Sequence, residues 1–248
     1  MSESKLAGDR RSVDQGNTAI MHYTAPPVVG GVEGVMEAHV RTFARAGYPV
    51  TVIAGRGDGK ALATEAEFVR IPKVDSQHPE IARLSRQLEE GDVPSVLDAV
   101  ASELVETLRP LLRHFDNLIV HNAFTKRFNL PLTVALFRLL DEGSIANCIA
   151  WCHDIGWTSD HSLPNLHPGY PWDLLRTRRD DVTYVVVSRH RQRALARLFD
   201  CSPDEIQVIY NGVDPVLLLG LTEEGRRLSE RLGLLESDLI LLMPVRVT

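Results

Sequence analysis

The segment TAIMHYTAPPVVGGVEGVMEAHVRTFARAGYPVTVIA, from Thr18 to Ala54, decides the fold. A short apolar run ends in a loop of prolines and glycines. The next stretch, from Val32 to Ala46, repeats its apolar residues at helical spacing until Gly47 stops it. The residues from Pro49 to Ala54 then form a continuous apolar run, which is typical of a buried strand. Strand, glycine loop, helix and strand in this order open a parallel α/β sheet.

The same alternation continues along the rest of the chain. Strands that are apolar on both faces and separated by helices belong in the centre of a parallel sheet. We therefore predict an α/β fold, a Rossmann-like parallel sheet with helices on both faces. The further predicted strands are Phe68–Ile71, Asn117–Val120, Ala146–Trp151, Val182–Val187, Ile206–Ile209 and Leu239–Met243. The further predicted helices are Pro79–Glu90, Ser95–Phe115, Leu130–Leu140, Arg189–Phe199 and Glu223–Leu232.

Composition limits the class of protein and its partners. The chain carries 27 Lys and Arg against 33 Asp and Glu, a net charge of −6, so general nucleic-acid binding is not expected. Its three cysteines, Cys148, Cys152 and Cys201, lack metal-ligand spacing and indicate free thiols in a reducing compartment. No apolar run at the amino terminus resembles a signal peptide, and none elsewhere has the length of a membrane span. We expect a cytoplasmic protein, with peripheral membrane contact through the arginine-rich helix as an alternative.

The residues that follow the strands are the candidates for a binding site. In an open parallel sheet, ligands bind outside the carboxyl ends of the strands. The pair Gly30 and Gly31 precedes a helix, so its backbone N–H groups could approach an anion such as a diphosphate. The alternative is a tight turn that uses glycine for a positive φ and binds nothing. The other residues at this edge are His121, Asn122, His153, Asp154, Ser188, Asn211 and Gly212.

Histidine at a strand end has two interpretations. His153, and with less support His121, could hydrogen-bond a sugar hydroxyl or an acceptor phosphate, or could be a core histidine whose hydrogen bonds are satisfied. The irregular region from Gly156 to Pro171 contains Trp157 and is too rich in side-chain chemistry for a spacer. The histidines match no zinc signature, so no metal site is predicted. The glycine spacing is not that of a dinucleotide-binding loop, and no Gly-x-Ser-x-Gly nucleophile elbow is present.

Five segments together resemble the retaining GT-B glycosyltransferases of family 4. They are Pro26–Glu33, Phe43–Gly47 before Val50–Ile53, Trp151–Asp154, Val187–Ser188 and Val208–Asp214. The resemblance runs from about Thr18 over nearly the whole chain. One departure is Tyr210, which stands where the family more often has proline. The resemblance implies the amino-terminal half of a GT-B fold, in which two Rossmann-like domains face each other across a cleft.

The resemblance also implies roles for individual residues. His153 would touch the transferred sugar as the catalytic histidine. Gly30, Gly31, Asn211, Gly212 and Arg246 would lie on the side of the nucleotide-diphosphate sugar donor. The acceptor side, for a carbohydrate, lipid-linked or small-molecule acceptor, would comprise His121, Asn122, Asp154, Trp157 and Ser188. No cofactor, metal ion or protein nucleophile is implied, because the leaving diphosphate is stabilised by backbone N–H groups and by arginine or lysine.

The resemblance divides the chain into four parts. Residues 1–17 are expected to be a disordered tail, 18–214 the acceptor-side domain, 215–236 a linker and helix, and 237–248 the start of a nucleotide-sugar-binding domain. The lysine and the glutamate pair that complete the family's site are absent, so we expect this chain to be an incomplete, inactive portion of a transferase. Two alternatives stay open: a GT-B sugar-nucleotide epimerase or phosphorylase, and a stand-alone acceptor-binding or regulatory module.

Overall fold

The computed structural model describes residues 16–62, 66–213 and 222–241. The chain forms two compact units, the first ending at Asn211 and the second beginning at Gly212. Most of the expected disordered tail, residues 1–15, lies outside the described residues.

The first unit is built on a seven-stranded sheet in which every pairing is parallel. Its strands are β1 Thr18–Thr24, β2 Val50–Arg56, β3 Glu67–Arg70, β4 Asn117–His121, β5 Cys148–Cys152, β6 Val182–Val186 and β7 Gln207–Val208. They lie in the order β3-β2-β1-β4-β5-β6-β7. This topology confirms the predicted α/β fold. The chain adds strands on one side of β1 and then returns to add the others on the opposite side, which makes the β1–β4 boundary the topological switch point.

The predicted helices of the first unit are all present, with ends that differ by at most three residues from the prediction. The largest difference is in α3 Leu97–Leu112, which begins two residues after and ends three residues before the predicted helix Ser95–Phe115. The helices are α1 Gly31–Arg45, α2 Pro79–Glu89, α3 Leu97–Leu112, α4 Leu130–Asp141 and α5 Arg189–Phe199.

The strands pack helices against both faces of the sheet. Along β1, Ala19 and Met21 belong to a large core cluster that also includes side chains of α3, α4 and α5. Ile20, between them, belongs to a second cluster with Met36 and Val40 of α1. Successive side chains of a strand point to opposite faces, so this alternation defines an α1 face and an opposite face.

Two of the cysteines lie in the core, as the sequence indicates. Cys148 and Cys152 are buried in β5, and burial raises the pKa of the Cys152 thiol to about 12. The pKa of Cys148 is raised for the same reason. Neither thiol is therefore a nucleophile at neutral pH, because the thiolate is the reactive form.

The second unit contains one α-helix in its described part, α6 Glu223–Leu232. Its bounds match the prediction. The hydroxyl of Thr222 accepts a hydrogen bond from the Gly225 N–H at 3.0 Å, and Gly233 ends the helix with φ +58°. The predicted strand Leu239–Met243 is described only as far as Leu241, and these three residues are exposed and not in a strand. A strand needs a paired neighbour, and the described part of this unit supplies none.

Candidate active site

Three histidines from three neighbouring strands meet at the switch point. His22 lies in β1, His121 is the last residue of β4, and His153 directly follows β5. The alternation of side chains places all three on the α1 face, where Ile20, Ile119 and Trp151 also lie. A fourth histidine, His39, comes from α1 itself. We call these four side chains, His22, His39, His121 and His153, the histidine cluster.

The histidine cluster is held by short contacts. Nδ1 of His121 lies 2.9 Å from Nε2 of His153, and the two ring planes are 19° apart with their centroids separated by 5.2 Å. Nδ1–H of His22 donates to the backbone carbonyl of His121 at 3.2 Å. The ring of His39 lies 5.4 Å from that of His121 and 4.4 Å from that of Trp151, measured between centroids. The cluster is thus a packed polar group between α1 and the sheet.

Burial keeps the histidine cluster uncharged at neutral pH. Removal from water lowers the pKa of His39 and of His153 to about 4. The same cause lowers the pKa of His121 well below its ordinary value, and neighbouring histidines lower it further. Burial also lowers the pKa of His22, against a smaller opposing effect of the Glu33 carboxylate. At neutral pH these rings therefore act as neutral donors and acceptors, not as cations.

Asn122 joins the end of β4 to the end of β5. Its backbone has φ 63°, a left-handed conformation that asparagine tolerates better than most residues. Its Oδ1 accepts hydrogen bonds from the backbone N–H of His153 at 2.9 Å and of Asp154 at 3.3 Å. Asn122 therefore fixes the backbone that carries His153, and this positioning accounts for an asparagine at this place.

Asp154 and Ser188 form a second connection at the same edge. The Asp154 carboxylate accepts a hydrogen bond from the Arg191 guanidinium at 2.8 Å. The Ser188 hydroxyl caps α5 by accepting from the backbone N–H of Arg191 at 3.2 Å. The structure thus brings His121, Asn122, His153, Asp154 and Ser188 together through named contacts.

The glycine loop differs from its expected form. Gly30 has an extended backbone with φ −168°, and Gly31 is the first residue of α1, so neither needs a positive φ. The interpretation of the pair as a tight positive-φ turn is therefore wrong. A Cβ added at Gly31 would meet nothing within 4 Å, whereas one at Gly30 would collide with the Glu33 carboxylate. That carboxylate also accepts a hydrogen bond from the Thr24 hydroxyl.

A shallow cavity of about 330 Å³ opens beside this loop. Two carboxylate side chains, Glu33 and Glu37, lie in its wall. The open side of Gly31 and the amino terminus of α1 leave room for a ligand to approach the backbone N–H groups. The remaining lining residues are Pro26, Pro27, Val28, Val29, Gly30, Gly34 and Ala61.

Four other predicted site residues, Trp157, Asn211, Gly212 and Arg246, do not take part in the contacts described above. The indole N–H of Trp157 donates to the Trp172 carbonyl at 3.3 Å, and the Arg176 guanidinium lies 4.4 Å over its ring. Asn211 and Gly212 are exposed after β7, on either side of the boundary between the two units. Arg246 lies outside the described residues.

Sequence reasoning missed several side chains at this edge. His22, His39 and Arg191 are not among the predicted site residues, although Arg191 pairs with Asp154. Lys126 was also missed: it is only 9% exposed, its ammonium lies 4.9 Å over the Phe128 ring, and burial lowers its pKa. Strand alternation could have found His22, since it shares the face of Ile20.

The described residues form neither a metal site nor a membrane-spanning helix. In the described part of the chain, no group of three or more histidine, cysteine, aspartate or glutamate side chains is arranged to hold a metal ion. Within residues 16–62, 66–213 and 222–241, no helix has the length and apolar character needed to cross a bilayer.

Comparison of the sequence with known families assigns the chain. The sequence profile described as Glycosyltransferase Family 4 matches residues 29–217. The chain belongs to glycosyltransferase family 4. The matched range contains the glycine loop, His121, His153, Asn211 and Gly212. Of the residues predicted from the resemblance, only Arg246 lies beyond the match.

Comparisons with individual proteins do not narrow the assignment further than the family. No curated protein sequence matches this family 4 chain. A similar solved structure is that of a glycosyltransferase from Rickettsia africae ESF-5, with 15% sequence identity and a TM-score of 0.49. The alignment covers 89% of this chain and 50% of that one, so this chain spans half the length of that structure.

Proposed function

We propose that this chain forms the acceptor-side half of a GT-B glycosyltransferase. The enzyme transfers a sugar from a nucleotide-diphosphate donor to an acceptor and retains the anomeric configuration. The observation that carries the proposal is the position of His153 in a family 4 chain. Its neutral ring stands at the carboxyl end of β5, two strands from β1 and beside the switch point, where α/β proteins bind ligands.

In this proposal, His153 contacts the transferred sugar near the reaction centre. Departure of the diphosphate leaves positive charge on the sugar ring and adds negative charge to the leaving group. A neutral imidazole can donate a hydrogen bond there without adding a positive charge beside the oxocarbenium-like sugar. The low pKa of His153 supports this role, because the ring stays neutral throughout the range in which enzymes usually work.

The glycine loop is proposed to form the part of the first unit that contacts the donor. Gly31 starts α1 and presents an open side, which supports close approach by a diphosphate or sugar to backbone N–H groups. The carboxylate of Glu33 lies over Gly30, so an approaching diphosphate would have to displace or avoid it. Asn211, Gly212 and Arg246 are proposed to complete the donor side, and Trp157 to lie on the acceptor side.

The wall beside His153 is proposed to face the acceptor. The contacts of Asp154 with Arg191, and of Ser188 with α5, support a fixed polar surface there. The proposed reaction needs no metal ion and no protein nucleophile, as the resemblance to family 4 implies. A cytoplasmic location is part of the same proposal.

A donor screen tests this function. The longest natural form of the protein is incubated with a panel of nucleotide-diphosphate sugars and candidate acceptors, and release of nucleotide diphosphate is measured. The anomeric coupling constant of the product, read by proton NMR, then reports the configuration. We expect acceptor-dependent release without added metal and a product with the donor's configuration. Inverted product would refute retention, and sugar binding without any release would favour an acceptor-binding module.

A further inference from the structure

The two ring nitrogens of His153 have different surroundings. Nε2 lies 2.9 Å from Nδ1 of His121, on the interior side of the ring. Nδ1 has no hydrogen-bond partner among the described residues, and this atom is not fully buried. One nitrogen therefore faces the histidine cluster, and the other is available to a ligand.

The contact between the two rings couples their protons. Burial keeps both His121 and His153 neutral, so each ring carries one proton. A hydrogen bond between Nδ1 of His121 and Nε2 of His153 needs one proton between them. Either His121 donates it, which leaves the proton of His153 on Nδ1, or His153 donates it, which leaves Nδ1 of His153 bare. The direction of this bond thus decides whether His153 offers a donor or an acceptor.

The surroundings of the other ring nitrogen of His121, Nε2, favour one of these arrangements. The His121 side chain is completely buried, and its Nε2 has no hydrogen-bond partner among the described residues. If His153 were the donor, the proton of His121 would sit on this Nε2 as a buried N–H without an acceptor. Buried N–H groups without a partner are rarer in proteins than acceptors that are left underused. The arrangement in which His121 donates avoids the unpaired N–H.

We propose that His121 is a positioning residue that holds His153 in the tautomer with its proton on Nδ1, so that His153 presents an N–H donor at the carboxyl edge of the sheet. Two further contacts hold the pair in place. His22 donates to the His121 carbonyl, and Asn122 accepts from the His153 backbone N–H. The tautomer itself does not depend on the proposed function. The ligand that accepts from this N–H does depend on the proposed function. In sugar transfer, the N–H donates to an oxygen of the donor, either a sugar hydroxyl or a phosphate oxygen.

The tautomer can be measured on the full chain without any substrate. Long-range proton–nitrogen correlation spectra of the ¹⁵N-labelled protein distinguish a protonated ring nitrogen from a bare one, and His153→Gln identifies the His153 signals by their loss. We expect a protonated Nδ1 and a bare Nε2 between pH 6 and 8. A proton on Nε2 of His153 in the native chain would overturn the proposal, whatever the variants do.

Variants of His121 test the cause. His121→Phe keeps a ring in the buried space but removes the donor, and we expect His153 to lose its preference for the Nδ1 proton. His121→Asn places an amide N–H near the position of the lost Nδ1–H and should restore the preference. His39→Phe is the matched control, since His39 contacts the His121 ring but does not bond His153. A native tautomer in His121→Phe, or an equal change in His39→Phe, would refute positioning by His121.

Activity provides the second measurement. In the longest natural form, we expect His121→Phe to lower kcat about 10-fold to 100-fold with little change in KM, and His121→Asn to recover most of the loss. An unchanged kcat in His121→Phe would refute the part of His121 in transfer. If the native protein transfers no sugar at all, the proposed function fails, and the spectra alone then confirm or refute the tautomer.

Discussion

The histidine cluster and the glycine loop lie at the same edge of one sheet and differ in how they are held. His121 is completely buried, and the backbone of His153 is fixed by Asn122. At the loop, Val29 is 89% exposed and a Cβ at Gly31 would meet no neighbour. The rigid region suits a group that must be oriented accurately, and the open region suits the entry and release of a ligand. The predictions below test this difference.

The largest effect is expected at the rigid region. His153→Ala in the longest natural form should lower the turnover number about 100-fold, the scale for one positioned polar group that acts in a transition state. The measurement is the rate of nucleotide diphosphate release at saturating donor. His161→Ala, at an exposed position, serves as the control. An unchanged rate together with a lower melting temperature would make His153 a core residue and nothing more.

The support of that region should appear in stability. Asn122→Ala removes the acceptor of two backbone N–H groups and puts alanine in a left-handed conformation. We expect the free energy of unfolding to fall by about 2 kcal/mol, measured by denaturant titration. Asn122→Asp keeps an acceptor oxygen and should lose less. A loss below about 0.5 kcal/mol for the alanine variant would show that the two strand ends hold their geometry without this side chain.

The open region should behave in the opposite way. Gly31→Val adds a side chain where the described structure leaves space, so the free energy of unfolding should change by less than about 0.5 kcal/mol. Turnover should fall about 10-fold, because the side chain occupies the path of a ligand to the backbone of α1. The turnover number and the free energy of unfolding are measured on the same preparation, by kinetics and by denaturant titration. Normal turnover would remove the glycine loop from the site.

Much of the fold follows from the sequence, but the difference between the histidine cluster and the glycine loop does not. Apolar runs and helical spacing predict the strands and helices because burial acts directly on those residues. The site depends on how elements rotate against each other. His39 reaches His121 only because α1 turns that side of the helix toward the sheet, and local periodicity does not specify which strand ends it covers.

Two mistaken interpretations show the same limit. Gly30 and Gly31 were candidates for a positive φ because glycine often supplies one, but here the backbone of Gly30 is extended and Gly31 begins a helix. Arg191 belongs to a helix whose arginines look solvated, yet it reaches Asp154 across the edge of the sheet. The contact between Arg191 and Asp154 joins residues 37 apart in the sequence. Packing sets that neighbourhood, so the sequence pattern of either residue alone does not reveal it.

The last prediction of this set concerns pH. The folded state lowers the pKa of His39 and His153 to about 4 from an ordinary value of 6.5, so the unfolded state takes up these protons first as pH falls. Stability should therefore be fully present above about pH 6.5 and decrease between pH 6.5 and 4, by about 1 kcal/mol per pH unit for each histidine. His39→Phe should flatten this slope. A slope that His39→Phe leaves unchanged would contradict the assignment.

The central claim is that the rigid histidine region and the open glycine loop are two walls of one sugar-transfer site. The most direct measurement is an NMR titration of the ¹⁵N-labelled protein with the donor identified by the screen. We expect the Gly31 amide and the His153 ring signals to shift with one common dissociation constant, while Ser144 and Asn147, before the amino end of β5, stay unchanged. Shifts at only one of the two walls, or with different dissociation constants, would contradict the account.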